Sequence, residues 1–137
     1  MSRPQFKLSG SGPCVLLIPG LAGTIDSWGY QIRGLSKDFK ILAVENRVID
    51  GGHRSVGDFN ISKTLKDIAY VLKLLEIEKV SILGSSMGGI IGWEYANRNP
   101  ENVDSLILSS LPLKADTRMD DCLNMLSALV EKNDPVA

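Results

Sequence analysis

Histidine is the scarcest chemically useful residue in this chain: His53 is the only one in 137 residues. A mechanism that needs a histidine base has that side chain or must find one elsewhere. Cysteine is almost as scarce. Cys14 and Cys122 are too few for a disulfide framework, and no Cys/His cluster has zinc spacing, so no metal and no cofactor is expected. That cysteine usage points to a cytoplasmic setting. There is no excess of either charge, with 15 Lys and Arg against 16 Asp and Glu. This speaks against nucleic acid or an anionic membrane surface as the main partner. No apolar run approaches the ~20 residues that span a bilayer, and Met1 to Ser11 has no stretch of signal-peptide length.

What is present is an ordinary globular balance, 44% apolar and 23% charged, in a chain of single-domain length. Short apolar runs alternate with segments of helical period, the pattern of a parallel α/β sheet. Gln5 to Leu8 reads as a short edge strand. Cys14 to Ile18, Phe39 to Val44, Val80 to Leu83 and Val103 to Leu108 read as four core strands. Ser27 to Leu35 is expected to be a short helix capped by Asp26 or Ser27. Leu65, Ile68, Ala69, Leu72 and Leu75 form one face of a helix over about Ser62 to Leu75, with Lys63, Lys66 and Lys73 off that face. Met87 to Asn97 is a further helix, stopped by Asn99-Pro100. A last one, from about Arg118 to Glu131, carries Met119, Cys122, Leu123, Leu126, Leu129 and Val130 on one stripe. All these apolar stripes are ordinary core faces.

Chemistry concentrates at Gly84-Ser85-Ser86-Met87-Gly88, a G-x-S-x-G string between a buried strand and a helix. The string alone is weak, so its setting carries the reading. A serine at such a turn is strained, with its hydroxyl exposed. Flanking glycines are needed because a Cβ there would strike the adjoining strand and helix. The helix N-terminus behind it suits an oxyanion. A phosphate-binding loop fits less well. There is no Gly-Lys-Ser/Thr, and Gly10-Ser11-Gly12 precedes its strand where a dinucleotide fingerprint follows one.

From about Gly10 to Leu113 the chain resembles the N-terminal half of the α/β-hydrolase fold superfamily, in its serine-nucleophile, lipase-, esterase- and lactonase-like form. Val15 to Trp28 resembles the family's strand and oxyanion loop. Pro19-Gly20-Leu21-Ala22-Gly23 stands where His-Gly-x-x-Gly is usual. The stretch from Lys79 to Ser110 is similar to the nucleophile segment throughout. The resemblance implies a three-layer α/β sandwich with a mostly parallel sheet. It implies Ser86 as the nucleophile and the backbone N–H groups of Leu21 and Met87 as the oxyanion hole, supported by Gly20, Gly84 and Gly88. A serine at that place differs from the aspartate of haloalkane dehalogenases and epoxide hydrolases. The implied reaction is attack on an ester, lactone or amide carbonyl through an acyl-enzyme.

Two departures stand out. Glu45-Asn46-Arg47 and the residues up to Ser55 stand where Asp-x-Arg-Gly-x-Gly-x-Ser is usual, with an insertion and moved glycines that read as loop drift. The family's acid and histidine follow the serine, yet no histidine follows Ser86. His53 lies on the ligand-binding side of the sheet but reads as a loop residue, and Asp116 and Asp120 read as helix caps. The sequence therefore reads as a core over 1–113 that breaks off after the fourth core strand. Residues 114–137 would begin a lid helix. The run from Ser105 to Leu111 would be left as an apolar edge strand that invites self-association or a partner. Three functions follow: a serine hydrolase completed by further chain, a non-catalytic module binding a small molecule or a partner, and one half of a split hydrolase.

Overall fold

The computed structural model describes residues 4–21, 23–45 and 61–111. His53, Asp116, Asp120, Cys122 and the helix expected near 118–131 lie outside the described residues. Five strands form one sheet: β1 (Phe6–Ser9), β2 (Cys14–Ile18), β3 (Lys40–Val44), β4 (Val80–Ser85) and β5 (Val103–Ser109). Their spatial order is β1-β3-β2-β4-β5. β1 runs antiparallel to β3, while β3, β2, β4 and β5 are mutually parallel. The helices are α1 (Gly29–Leu35), α2 (Ile61–Leu74) and α3 (Met87–Arg98), with single 3-10 turns at Ile25–Trp28 and Pro100–Asn102. Among the described residues no helix is long and apolar enough to cross a membrane.

The unbroken apolar character of β2 and β3 follows from burial on both faces. Cys14, Leu16, Ile18, Leu42 and Val44 point into a cluster closed by Ile68, Val71 and Leu72 of α2 and by Ile91 and Tyr95 of α3. The alternate residues Leu17, Ile41 and Ala43 face Trp28 and Ile32 on the other side. Helices thus cover both faces, giving the expected three-layer sandwich. Leu16, Leu17, Ile18, Leu42 and Ile82 are all fully buried. Each contributes about 1.5–3 kcal/mol by leaving water, an upper bound because unfolded chains already bury some surface.

The structure adjusts three local expectations. The first helix is capped by neither Asp26 nor Ser27. Thr24 caps the 3-10 turn that leads into α1, its N–H donating to Ser27 Oγ at 3.1 Å, and α1 begins only at Gly29. The inner face of α2 is Thr64, Leu65, Ile68, Val71 and Leu72, while Ala69 is exposed and Leu75 half-buried. A face centred on residues 64, 68, 71 and 72 brings Val71 inward in place of Ala69, because the larger side chain fills the gap between helix and sheet. β5, read as a core strand, is an edge strand of the sheet among the described residues, with Ile107 55% exposed and Leu108 38% exposed. The expectation that Ser105 to Leu111 forms an edge strand describes its place better.

Helix α2 ends in a Schellman arrangement. The Ile77 N–H donates to Leu72 O at 2.9 Å and the Glu76 N–H to Lys73 O at 3.2 Å. This requires Glu76 at φ 54°, a left-handed conformation that favours glycine. Glu76→Gly is expected to raise the free energy of unfolding by about 0.5–1 kcal/mol, read from urea denaturation. Burial at the start of β2 pushes the Cys14 thiol up to about 11, with Lys40 opposing it weakly. The native state therefore holds this proton more tightly than the unfolded chain. That contribution is complete below about pH 9 and is lost as pH rises to about 11. The unfolding midpoint of the wild type is expected to fall more steeply over this window than that of Cys14→Ala.

Candidate active site

The site is built where β4 turns into α3. β4 ends at Ser85, α3 begins at Met87, and Ser86 sits between them at φ 52°, ψ −118°. A side chain at positive φ with that ψ occupies a region that glycine normally fills, at a cost on the order of 1–3 kcal/mol. The backbone of Ser86 is held from both sides. Its N–H donates to Ser109 O at the end of β5 at 2.8 Å, and its carbonyl accepts the Gly89 N–H at 2.8 Å within the first turn of α3. The positive end of the α3 dipole lies directly behind this residue.

Glycine is required on both sides of the turn for a steric reason. A Cβ at Gly84 would stand 2.4 Å from Gly88 O and 2.7 Å from Gly89 Cα. A Cβ at Gly88 would stand 2.1 Å from Ile18 O and 2.6 Å from Pro19 O. The first turn of α3 thus rests, backbone on backbone, on the end of β2. Gly92, one turn on, keeps α3 close to β4, since a Cβ there would meet Ile82 Cγ2 at 2.9 Å.

The loop after β2 comes to the same place. The Cβ position of Gly20 is 3.4 Å from Ser86 Cβ and 3.3 Å from Ser85 O. The Gly23 N–H donates back to Gly20 O at 3.1 Å. Leu21 lies in this loop with 38% of its surface exposed. The fold therefore brings Gly20, Gly84, Ser86, Met87 and Gly88 to one corner at the carboxyl edge of the sheet, the edge where open α/β sheets bind ligands. His53 lies outside the described residues.

Two features of this corner escaped the sequence reading. One is the Ser109 carbonyl, a backbone acceptor that no pattern of side chains reveals. The other is Glu45, which follows β3. Its Oε1 accepts the Ile25 N–H at 2.9 Å, and among the described residues its buried Oε2 has no hydrogen-bond partner. The place of Glu45 where the family motif has aspartate was the one available signal.

A family model described as alpha/beta hydrolase fold matches residues 13–133. The chain belongs to this family. Among its relatives, "Putative carbamate hydrolase RutD" of Agrobacterium fabrum is 31% identical over 131 residues, covering 93% of this chain and 49% of that protein. Epoxide hydrolase 1 of Caenorhabditis elegans is 26% identical, with 80% of this chain and 28% of that protein covered. Among solved structures, an esterase from a marine microorganism superposes with a TM-score of 0.84 at 26% identity, covering 97% of this chain and 52% of that one. The chain spans about half the length of the curated carbamate-hydrolase relatives it matches, at 49% to 50%.

The close backbone contacts predict a sharp contrast between glycines. Gly88→Ala is expected to destabilise by about 3 kcal/mol or more, because two carbonyls must move. Gly34→Ala, on α1 where a Cβ meets nothing within 4 Å, is expected to stabilise by about 0.5–1 kcal/mol. Thermal unfolding of the two variants beside wild type reads both effects.

Proposed function

We propose that Ser86 is the nucleophile of a serine hydrolase that cleaves an ester, lactone, amide or carbamate carbonyl. The observation that carries this reading is the strained Ser86 at φ 52°, held between Gly84 and Gly88 at a strand-to-helix turn. Strain of this kind persists where the surroundings over-determine it, and such places cluster at functional sites. Serine in place of aspartate favours acyl transfer over epoxide or haloalkane opening, and the names carried by the carbamate-hydrolase and esterase relatives agree with that choice.

In this mechanism Ser86 Oγ attacks the carbonyl carbon and its proton passes to a base. The carbonyl oxygen, now carrying the negative charge, is received by the Leu21 and Met87 N–H groups. Collapse expels the leaving group with a proton and leaves an acyl-serine. Water then adds to that ester, and the acid is released as Oγ regains its proton. Gly20 lets the β2 loop approach Ser86, and Gly84 and Gly88 let α3 start against the sheet. Among the described residues no histidine stands beside Ser86, so the base and the acid that orients it are supplied by side chains outside them. Residues 1–113 form the core on this reading, and 114–137 lead into a lid.

A second reading, a binding module or half of a split hydrolase, is favoured by one observation. The β5 edge leaves Ile107 and Leu108 uncovered by the described residues. Labelling decides the main question. In the natural protein a fluorophosphonate probe is expected to modify one serine, and peptide mass spectrometry should map it to Ser86. Ser86→Ala should abolish both the label and ester hydrolysis. A label elsewhere, or none, refutes the assignment.

A further inference from the structure

We propose that Glu45 is a positioning residue: its carboxylate fixes the loop after β2 against Ser86. The inference rests on the reading of Ser86 as nucleophile and goes beyond it by naming what aligns the oxyanion donors. Three links make the connection. Glu45 is anchored in the sheet, its own N–H donating to Gln5 O on β1's side at 3.0 Å. Its Oε1 then accepts the Ile25 N–H at 2.9 Å, which holds the start of the 3-10 turn. On the near side of that turn the Gly23 N–H closes onto Gly20 O at 3.1 Å, and the Cβ position of Gly20 lies 3.4 Å from Ser86 Cβ. The carboxylate thus ties the loop that passes beside Ser86 to the end of β3, the strand next to β2 in the sheet.

Among the described residues Oε2 is buried with no hydrogen-bond partner, so the carboxylate sits away from water, where its bond to the Ile25 N–H is electrostatically stronger. A bond from a sheet-anchored side chain is also stiffer than one made within the loop itself.

The test uses the natural full-length protein, a fluorophosphonate probe and a p-nitrophenyl ester. Glu45→Ala is expected to slow Ser86 labelling and lower kcat by about 10- to 100-fold while KM moves less than about twofold, as for misaligned oxyanion donors. Glu45→Gln keeps an oxygen acceptor for the Ile25 N–H, so it should restore both rates to within about threefold of wild type. Ile25→Pro removes the donor from the other side. Proline is tolerated at the first position of a helical turn, and Thr24 already has the extended backbone that must precede it. This variant should lose as much as Glu45→Ala, and it carries the test should Glu45→Ala not fold. Unchanged labelling in Glu45→Ala or Ile25→Pro overturns the proposal, as does a Glu45→Gln variant no better than Glu45→Ala. A wild-type protein that takes no label at Ser86 overturns the nucleophile reading itself, and the positioning role with it.

Discussion

Everything near Ser86 depends on one close approach: the first turn of α3 lies directly on the last residues of β2. Gly88 faces the carbonyls of Ile18 and Pro19 with no room for even a methyl group, and Gly84 faces Gly88 and Gly89 in the same way. Side chains normally hold a helix away from the backbone of a sheet. Here their absence lets backbone meet backbone, so the strand must turn into the helix within one residue. That residue is Ser86, and its positive φ is the geometric consequence. The strain is held by hydrogen bonds to β5 on one side and to α3 on the other.

The same approach explains how distant parts of the chain converge. β2 and β4 are neighbours in register, with Ile18 opposite Gly84, so the loop leaving β2 necessarily passes the turn leaving β4. Parallel strands place all such exits at one edge. Glu45, leaving β3 on the far side of β2, reaches that loop from a third exit. The corner is thus assembled from the ends of four strands, β2, β3, β4 and β5, with little contributed by any one segment.

Much of the architecture was legible because it rests on local patterns. Cys14 to Ile18 matched its strand without adjustment, and the Met87 helix differed by one residue at its end, where Asn99-Pro100 stops it. Less legible was anything that depends on a partner. The choice of Val71 over Ala69 as an inward residue depends on where α2 docks. The Thr24 cap was missed because two acceptable caps, Asp26 and Ser27, followed within three residues, and the 3-10 turn that shifts the boundary has no apolar signature of its own.

By itself the sequence determined the order of strands and helices, the glycines flanking Ser86 and the family resemblance. These are set by residue type and spacing, through backbone freedom and hydrophobic period, and need no knowledge of neighbours. Only the tertiary structure decided the dihedral angles of Ser86, the Ser109 carbonyl that anchors it, the approach of the Gly20 loop to it, and the pairing of Glu45 with the Ile25 N–H. The last three bring together segments that lie from about 20 to more than 60 residues apart in the chain, and which segments meet is settled by how the sheet assembles.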